Sequence, residues 1–135
     1  MGSLSARYYV LNLGGDGLVS ALVSLGGPNH GTSTAAACAL FFGQPSCVEM
    51  MPNSTFLAAL NAIDETPGSL LYATWWSPCD EIINPRSSTS LDGATNTQTS
   101  CLQHSQLYTD ATVYAGVRAW VSQPAPSQLI ASARW

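Results

Sequence analysis

Two polar residues, Asp80 and His104, stand just after two successive predicted strands, the apolar run 70–76 and the weakly alternating segment 96–101. The carboxyl ends of parallel strands meet at one edge of a sheet, where α/β proteins gather their functional groups. A carboxylate that orients an imidazole prepares that imidazole to act as a general base. Taken singly, Asp80 could cap a turn and His104 could be an ordinary loop residue. Their order along the chain favours an acid–histidine pair.

The four cysteines allow three disulfide pairings. No two of them have the C-x-x-C spacing that is typical of zinc sites. The simplest pairing joins Cys38 to Cys47 and Cys79 to Cys101, and the second bridge would tie together the loops that carry the acid and the histidine. Disulfides are typical of proteins that are exported to an oxidising compartment, so this pairing indicates an exported protein. The alternative is four buried thiols.

The elements that must position these residues alternate between helix and strand, which predicts an α/β domain with a short, mostly parallel sheet. The predicted helices cover 3–13, 34–43, 55–62 and 107–121, and the predicted strands cover 18–25, 70–76 and 96–101. Helical spacing indicates that Leu4, Tyr8 and Leu11 face the core, as do Leu107, Val113, Val117 and Trp120. Three strands leave a sheet edge uncovered, so a further part of the domain is expected to lie beyond these residues.

Composition excludes several classes of function. The 135 residues suggest one domain, and only 9% of them are charged. With no lysine, four arginines and a net charge of −4, the chain has no basic stripe for nucleic acid. No apolar run is long enough to span a bilayer, and residues 1–20 do not fit a signal peptide. No metal or cofactor is expected.

Several longer segments, in order, resemble one family. They are MGSLSARYYVLNLGG, LVSLGGPNHGT, DETPG, YATWWSPCDEIINPRSSTSLDGATNTQT and CLQHSQLYTDATVYAGVRAWV. Together they are similar to the small secreted lipases of actinomycete-type bacteria. The resemblance covers residues 1–122, as the carboxyl-terminal part of a lipase domain, and leaves 123–135 as a tail.

The resemblance implies a partial α/β-hydrolase fold and a Ser-Asp-His triad. By position, Asp80 matches the acid, His104 matches the histidine, and Met1 matches the residue whose backbone N–H serves the oxyanion hole. The nucleophilic serine would directly precede Met1. The implied activity is hydrolysis of carboxylic esters such as acylglycerols, in lipid catabolism, by a secreted enzyme without a cofactor.

The 135 residues contain no G-x-S-x-G motif. We therefore expect this chain to be inactive alone, either as a truncated gene product or because its start is assigned late. Its partner would be the missing amino-terminal half of the same domain. The alternative is a non-catalytic, disulfide-stapled lipid-binding module.

Two further groups of residues could contribute to the site. His30, in the loop PNHGT, is expected to be structural or to form a wall rather than to act as the base. Phe41, Phe42, Met50 and Met51 could line an acyl pocket or could simply pack in the core.

Overall fold

The computed structural model describes residues 1–123, so that all but the first residue of the predicted tail 123–135 lies outside the described part. The helices are α1 (Gly2–Asn12), α2 (Ala35–Phe42), α3 (Pro45–Glu49), α4 (Thr55–Leu60) and α5 (Ala111–Val121). The strands are β1 (Ala21–Leu25), β2 (Leu71–Trp76) and β3 (Thr95–Gln98). Single turns of 3₁₀ helix cover Gly15–Gly17, Arg86–Thr89 and His104–Gln106.

The strands form one parallel sheet in the order β1-β2-β3. Pairing runs from Ala21 opposite Leu71 to Trp76 opposite Gln98. Parallel strands need long connections, and the one between β1 and β2 holds α2, α3 and α4. The predicted α/β class, with a short parallel sheet and flanking helices, is confirmed and is consistent with part of an α/β-hydrolase fold. The carboxyl ends of the strands lie along one edge.

Helix α1 packs on the sheet through a stripe that differs from the predicted one. Leu4 and Val10 are buried, whereas Tyr8 is 41% exposed, so its predicted place in the core is wrong. Arg7 takes that place and is fully buried. Residues 4, 7 and 10 are spaced three apart and therefore share one helix face. The stripe brings a guanidinium group into the interior.

The two faces of the sheet are covered by different helices. On one face, Val10 of α1 packs against Leu22 and Tyr72. On the other face, Ala73 and Trp75 pack against Val113 of α5. Side chains of successive β2 residues point to opposite faces, which explains this division. The central strand β2 is therefore buried on both faces, and the loops that carry the candidate site start from the carboxyl ends of β2 and β3.

Three local boundaries differ from the sequence prediction for identifiable reasons. Helix α5 begins at Ala111 rather than at 107, because the Asp110 carboxylate accepts hydrogen bonds from the backbone N–H groups of Thr112 and Val113, at 2.9 and 3.0 Å. The third strand ends at Gln98, before the loop that contains Cys101. Helix α3 was not predicted, although a proline in its first turn is a common helix start.

Candidate active site

Asp80 and His104 lie in direct contact at the carboxyl edge of the sheet. The Nδ1 atom of His104 is 2.8 Å from Oδ2 of Asp80. The Asp80 side chain is 2% exposed and the His104 side chain is 33% exposed. Within residues 1–123, Nε2 of His104 has no hydrogen-bond partner. A buried acid therefore holds one ring nitrogen while the opposite one remains available.

The carboxylate of Asp80 is fully engaged by its surroundings. Its Oδ1 atom accepts backbone N–H bonds from Ile82 and Ile83, each at 2.9 Å, while Oδ2 faces the histidine. Backbone donors fix the carboxylate plane, and charge-assisted bonds of this kind are stronger than neutral ones. His104 is held separately, since its backbone N–H donates to Oε2 of Glu81 at 2.9 Å. The loop after β2 therefore orients the acid through its backbone N–H groups and holds the backbone of the histidine through Glu81.

Besides the bond between His104 and Glu81, two further ties join the loop after β2 to the loop after β3. One is the disulfide Cys79–Cys101, whose Cα atoms are 4.9 Å apart. The other is Ser77, whose buried hydroxyl donates to the Leu102 carbonyl at 2.5 Å and accepts from the Leu102 N–H at 2.9 Å. The sequence analysis missed Ser77. A serine directly after a buried strand, beside a half-cystine, was the available signal.

The second disulfide, Cys38–Cys47, links α2 to α3. The structure therefore contains the simplest of the possible pairings, and all four cysteines are used. Such bridges persist in an oxidising compartment. Each one stabilises the fold by lowering the conformational entropy of the unfolded chain.

Backbone at the end of β1 lies directly beneath the acid–histidine pair. Gly26 has a positive φ of 55°, and a Cβ atom there would meet Leu107 at 2.8 Å and both Asp80 Oδ2 and His104 Cε1 at 3.0 Å. A glycine is required for the conformation and for the close approach. Leu107, which is buried, completes this support.

A cavity of about 310 Å³ opens beside His104. Its lining is mostly apolar and comes from the start of α1, the loop after β1, helix α2 and the acid loop. The lining residues are Met1, Gly26, Pro28, Thr32, Thr34, Ala35, Cys38, Met50, Ile82, Ile83 and His104. Apolar walls with one ionisable group at the rim suit a ligand that has a hydrocarbon part and a reactive polar part.

Met1 and Met50 are both among the residues that line this cavity. Phe41 and Phe42 are not, and with 78% and 72% exposure they face solvent, so the interpretation that they line the pocket or pack in the core is wrong. Met51 lies beside a different depression, close to Pro52. The expected oxyanion role of the Met1 backbone stays a prediction.

His30 belongs to a second polar cluster, away from Asp80 and His104. Its Nε2 atom is 2.6 Å from Oε1 of Glu65, and its Nδ1 atom is 3.3 Å from the Ser88 carbonyl. Glu65 also accepts the Asp92 N–H at 2.7 Å. These contacts fasten the far part of the acid loop, as expected for a structural histidine. Among residues 1–123 no cluster of side chains could hold a metal ion.

Arg7 is the least satisfied polar group of the described residues. Its three guanidinium nitrogens are buried and have no hydrogen-bond partner within residues 1–123. Burial lowers the pKa of Arg7, and the nearby Glu65 carboxylate opposes that shift. A buried cation that is compensated only at a distance costs free energy of folding.

Among residues 1–123, no helix is both long enough and apolar enough to cross a membrane. A family profile described as "Lipase (class 2)" matches residues 9–124, a span that contains both members of the acid–histidine pair. A comparison with curated proteins finds no match.

Proposed function

Because the chain belongs to the lipase (class 2) family, we propose that it carries the acid and the base of a serine carboxylester hydrolase. The observation that supports this most directly is the 2.8 Å contact between His104 Nδ1 and Asp80 Oδ2. A buried carboxylate on one ring nitrogen, with the other nitrogen free, is the arrangement that general-base activation of a hydroxyl requires. Family membership gives the ester as the class of substrate.

We place the nucleophilic serine immediately before Met1. In α/β-hydrolases the nucleophile stands on a sharp turn between a strand and the helix that follows. Helix α1 begins at Gly2, and Met1 lines the same cavity as His104. A side chain just before Met1 would therefore sit close to the free Nε2 of the histidine. On this proposal, residues 1–122 are the carboxyl-terminal part of the catalytic domain.

The reaction follows from these positions. His104 Nε2 takes the serine proton as the serine oxygen attacks the ester carbonyl, and the Met1 backbone N–H donates to the resulting oxyanion. Asp80 stabilises the imidazolium, which then protonates the leaving alkoxide. Water attacks the acyl-enzyme by the same route, with His104 again as base, and the carboxylic acid leaves.

The cavity suggests the chemistry of the substrate, and the disulfides suggest the compartment in which the protein works. An apolar space of about 310 Å³ beside the base suits the hydrocarbon chain of an acyl group, as in acylglycerols. Two disulfides, with no unpaired cysteine, are typical of secreted proteins. We accordingly propose a secreted lipase of the actinomycete type. The alternative, a lipid-binding module without catalysis, is favoured only by the lack of a G-x-S-x-G motif in these residues.

The first test is the coding sequence upstream of Met1, which should end in G-x-S. The protein that includes this segment is then assayed with a short-chain p-nitrophenyl ester, together with its His104→Ala and Asp80→Asn variants. His104→Ala should lower kcat by roughly 10⁶-fold and Asp80→Asn by roughly 10⁴-fold, whereas Asp16→Asn, at an exposed carboxylate, should leave it unchanged.

Two results would contradict the proposal. One is an upstream frame that lacks the serine. The other is ester hydrolysis by residues 1–135 alone that disappears on His104→Ala, because a nucleophile would then lie within this chain. Saturable binding of a fluorescent fatty acid without any turnover by the extended protein would support the lipid-binding alternative.

A further inference from the structure

Three polar side chains meet in the interior between α1 and the end of β1. Ser24 and Asn29 are 1% and 0% exposed, and Ser3 is partly buried. The Ser3 hydroxyl oxygen lies 2.8 Å from the Ser24 hydroxyl oxygen and 3.0 Å from Oδ1 of Asn29. Nδ2 of Asn29 lies 3.5 Å from the Ser24 hydroxyl oxygen, so the three side chains form a closed ring. We call these three residues the polar ring.

The direction of each hydrogen bond in the polar ring follows from the chemistry of its groups. The Thr89 carbonyl can only accept, so the Asn29 atom that faces it at 2.6 Å must be Nδ2. Oδ1 of Asn29 therefore accepts the single proton of the Ser3 hydroxyl, and the Ser24 hydroxyl donates its own proton to Ser3. The second Nδ2 proton of Asn29 points to Ser24. Every side-chain donor of the ring is used, and a fully satisfied buried network of this kind makes its surroundings rigid.

We propose that the polar ring positions the catalytic serine against His104, by fixing the first turn of α1 on the strand end that leads to Gly26. This inference rests on the proposed function, since it takes the serine to stand directly before Met1. The ring consists of positioning residues, because none of its members lines the cavity or forms a hydrogen bond with the acid–histidine pair.

The polar ring lies between the two halves of the proposed catalytic machinery. On one side, Ser3 stands two residues after Met1, whose backbone N–H is the proposed oxyanion donor. On the other side, Ser24 stands two residues before Gly26, which packs against the acid–histidine pair. A shift of α1 along β1 would therefore move the serine and the oxyanion donor away from the imidazole without breaking the pair itself.

Asn29 connects the ring to two further parts of the chain. Its Nδ2 atom holds the Thr89 carbonyl in the acid loop, and its backbone carbonyl accepts a bond from Nδ2 of Asn61, at the end of α4, at 2.9 Å. Gly27 packs on the ring from the loop after β1, because a Cβ atom there would collide with both hydroxyls of the ring. The first turn of α1 is thus held at one point against β1, α4 and the acid loop.

The need for polar groups at this place favours a positioning role over a stabilising one. Hydrogen bonds in the interior largely replace bonds to water, so apolar side chains of the same shape could give a core of similar stability. Directional bonds add a fixed placement of the helix on the strand. Catalysis is sensitive to that placement, since a displacement of about 1 Å can lower a rate roughly 100-fold.

The test uses the serine-containing protein and two matched substitutions in the sheet. Ser24 and Thr74 are partners across β1 and β2, and both are buried. The Thr74 hydroxyl donates to Asn96 on β3, at 2.7 Å, rather than to α1. Ser24→Ala should lower kcat for a short-chain p-nitrophenyl ester by roughly 10- to 100-fold with little change in KM, because the cavity walls are untouched. Thr74→Val should lose a comparable amount of stability in urea and keep the parent kcat.

The pH profile separates misplacement of the serine from damage to the acid–histidine pair. The midpoint of kcat/KM against pH reports the titration of the base in the free enzyme. Ser24→Ala should lower the plateau of this profile and leave its midpoint unchanged. Ser3→Ala should behave in the same way, and it covers the case of a Ser24→Ala protein that fails to fold, because alanine is the best helix former. Since both substitutions remove the same bond, the double variant should lose little more than the worse single variant.

Equal losses of kcat in Ser24→Ala and Thr74→Val would overturn the proposal, as would a rise in KM alone or a shifted pH midpoint. Hydrogen exchange gives an answer that does not depend on turnover. The N–H of Leu4, which donates to the Met1 carbonyl at 2.9 Å, should exchange faster in Ser24→Ala than in Thr74→Val. Equal exchange in the two variants would overturn the role of the ring even in an active enzyme. Faster exchange at Leu4 in a parent protein without esterase activity would contradict the proposed function instead.

Discussion

Removal of the Cys79–Cys101 disulfide breaks one of the ties that hold the acid and histidine loops together and leaves the hydrogen bonds of Ser77 and Glu81 in place. In the chain-entropy model, a bridge over a sequence separation of 22 contributes about 3.4 kcal/mol to the free energy of unfolding. The bridge Cys38–Cys47, with a separation of 9, contributes about 2.6 kcal/mol and serves as the matched control. We expect double alanine variants to lose these amounts, in that order.

The contact between Asp80 and His104 should nevertheless survive in the Cys79→Ala/Cys101→Ala variant. Ser77 still bridges the two loops through its bonds to the Leu102 backbone, at 2.5 and 2.9 Å. Adding Ser77→Ala leaves those buried backbone groups unpaired, at a further cost of about 1–3 kcal/mol, and should release the pair.

Urea unfolding, monitored by circular dichroism, gives the free energies, and the low-field NMR resonance of the proton between Nδ1 and Asp80 reports the contact. A larger loss for the shorter loop would refute the chain-entropy argument. Disappearance of the resonance on removal of the disulfide alone would refute the role given to Ser77.

Three other changes test separate parts of the structure. Arg7→Met should raise the free energy of unfolding by about 1–3 kcal/mol in urea titration, because a buried unpartnered cation is removed; a loss of stability would mean that Arg7 is paired in solution. Ala35→Phe should fill the cavity, and in the serine-containing protein it should reduce kcat/KM for long-chain esters more than for acetate esters; a uniform effect would count against an acyl site there. Burial raises the pKa of Tyr72 above 10.0, so stability should fall as pH rises past the ordinary value, where the unfolded phenol ionises first. Tyr72→Phe should flatten that alkaline loss in urea titrations at increasing pH, and an unchanged slope would contradict this attribution.

The parallel sheet and the meeting of Asp80 with His104 could be predicted because they depend on order along the chain. Apolar runs identify strands, parallel strands align their ends, and polar residues that follow successive ends must then lie near one another. Neither step requires knowledge of side-chain packing. Helices α1, α2, α4 and α5 could also be predicted, because the spacing of apolar residues and the residues at helix ends are local features of the sequence.

Burial on individual helix faces was harder to predict, because it depends on which neighbours a side chain meets. Arg7 is buried and Tyr8 is not, although hydrophobicity alone ranks them the other way. Phe41 and Phe42 look like core residues in sequence, yet both side chains are exposed. The rotation of a helix about its axis is set by tertiary packing, which the sequence pattern of a short helix constrains weakly.

Gly26 limits how this protein can vary or be redesigned. Its positive φ disfavours any side chain, and the space a Cβ would need is occupied by Leu107, Asp80 and His104. In a mutant library built to alter substrate preference, every variant with a side chain at position 26 is therefore expected to disturb the acid–histidine pair. Diversity can instead be introduced at the residues of α2 and the acid loop that line the cavity, such as Ala35 and Ile82, which do not contact the acid–histidine pair through their side chains in the hydrogen bonds described above.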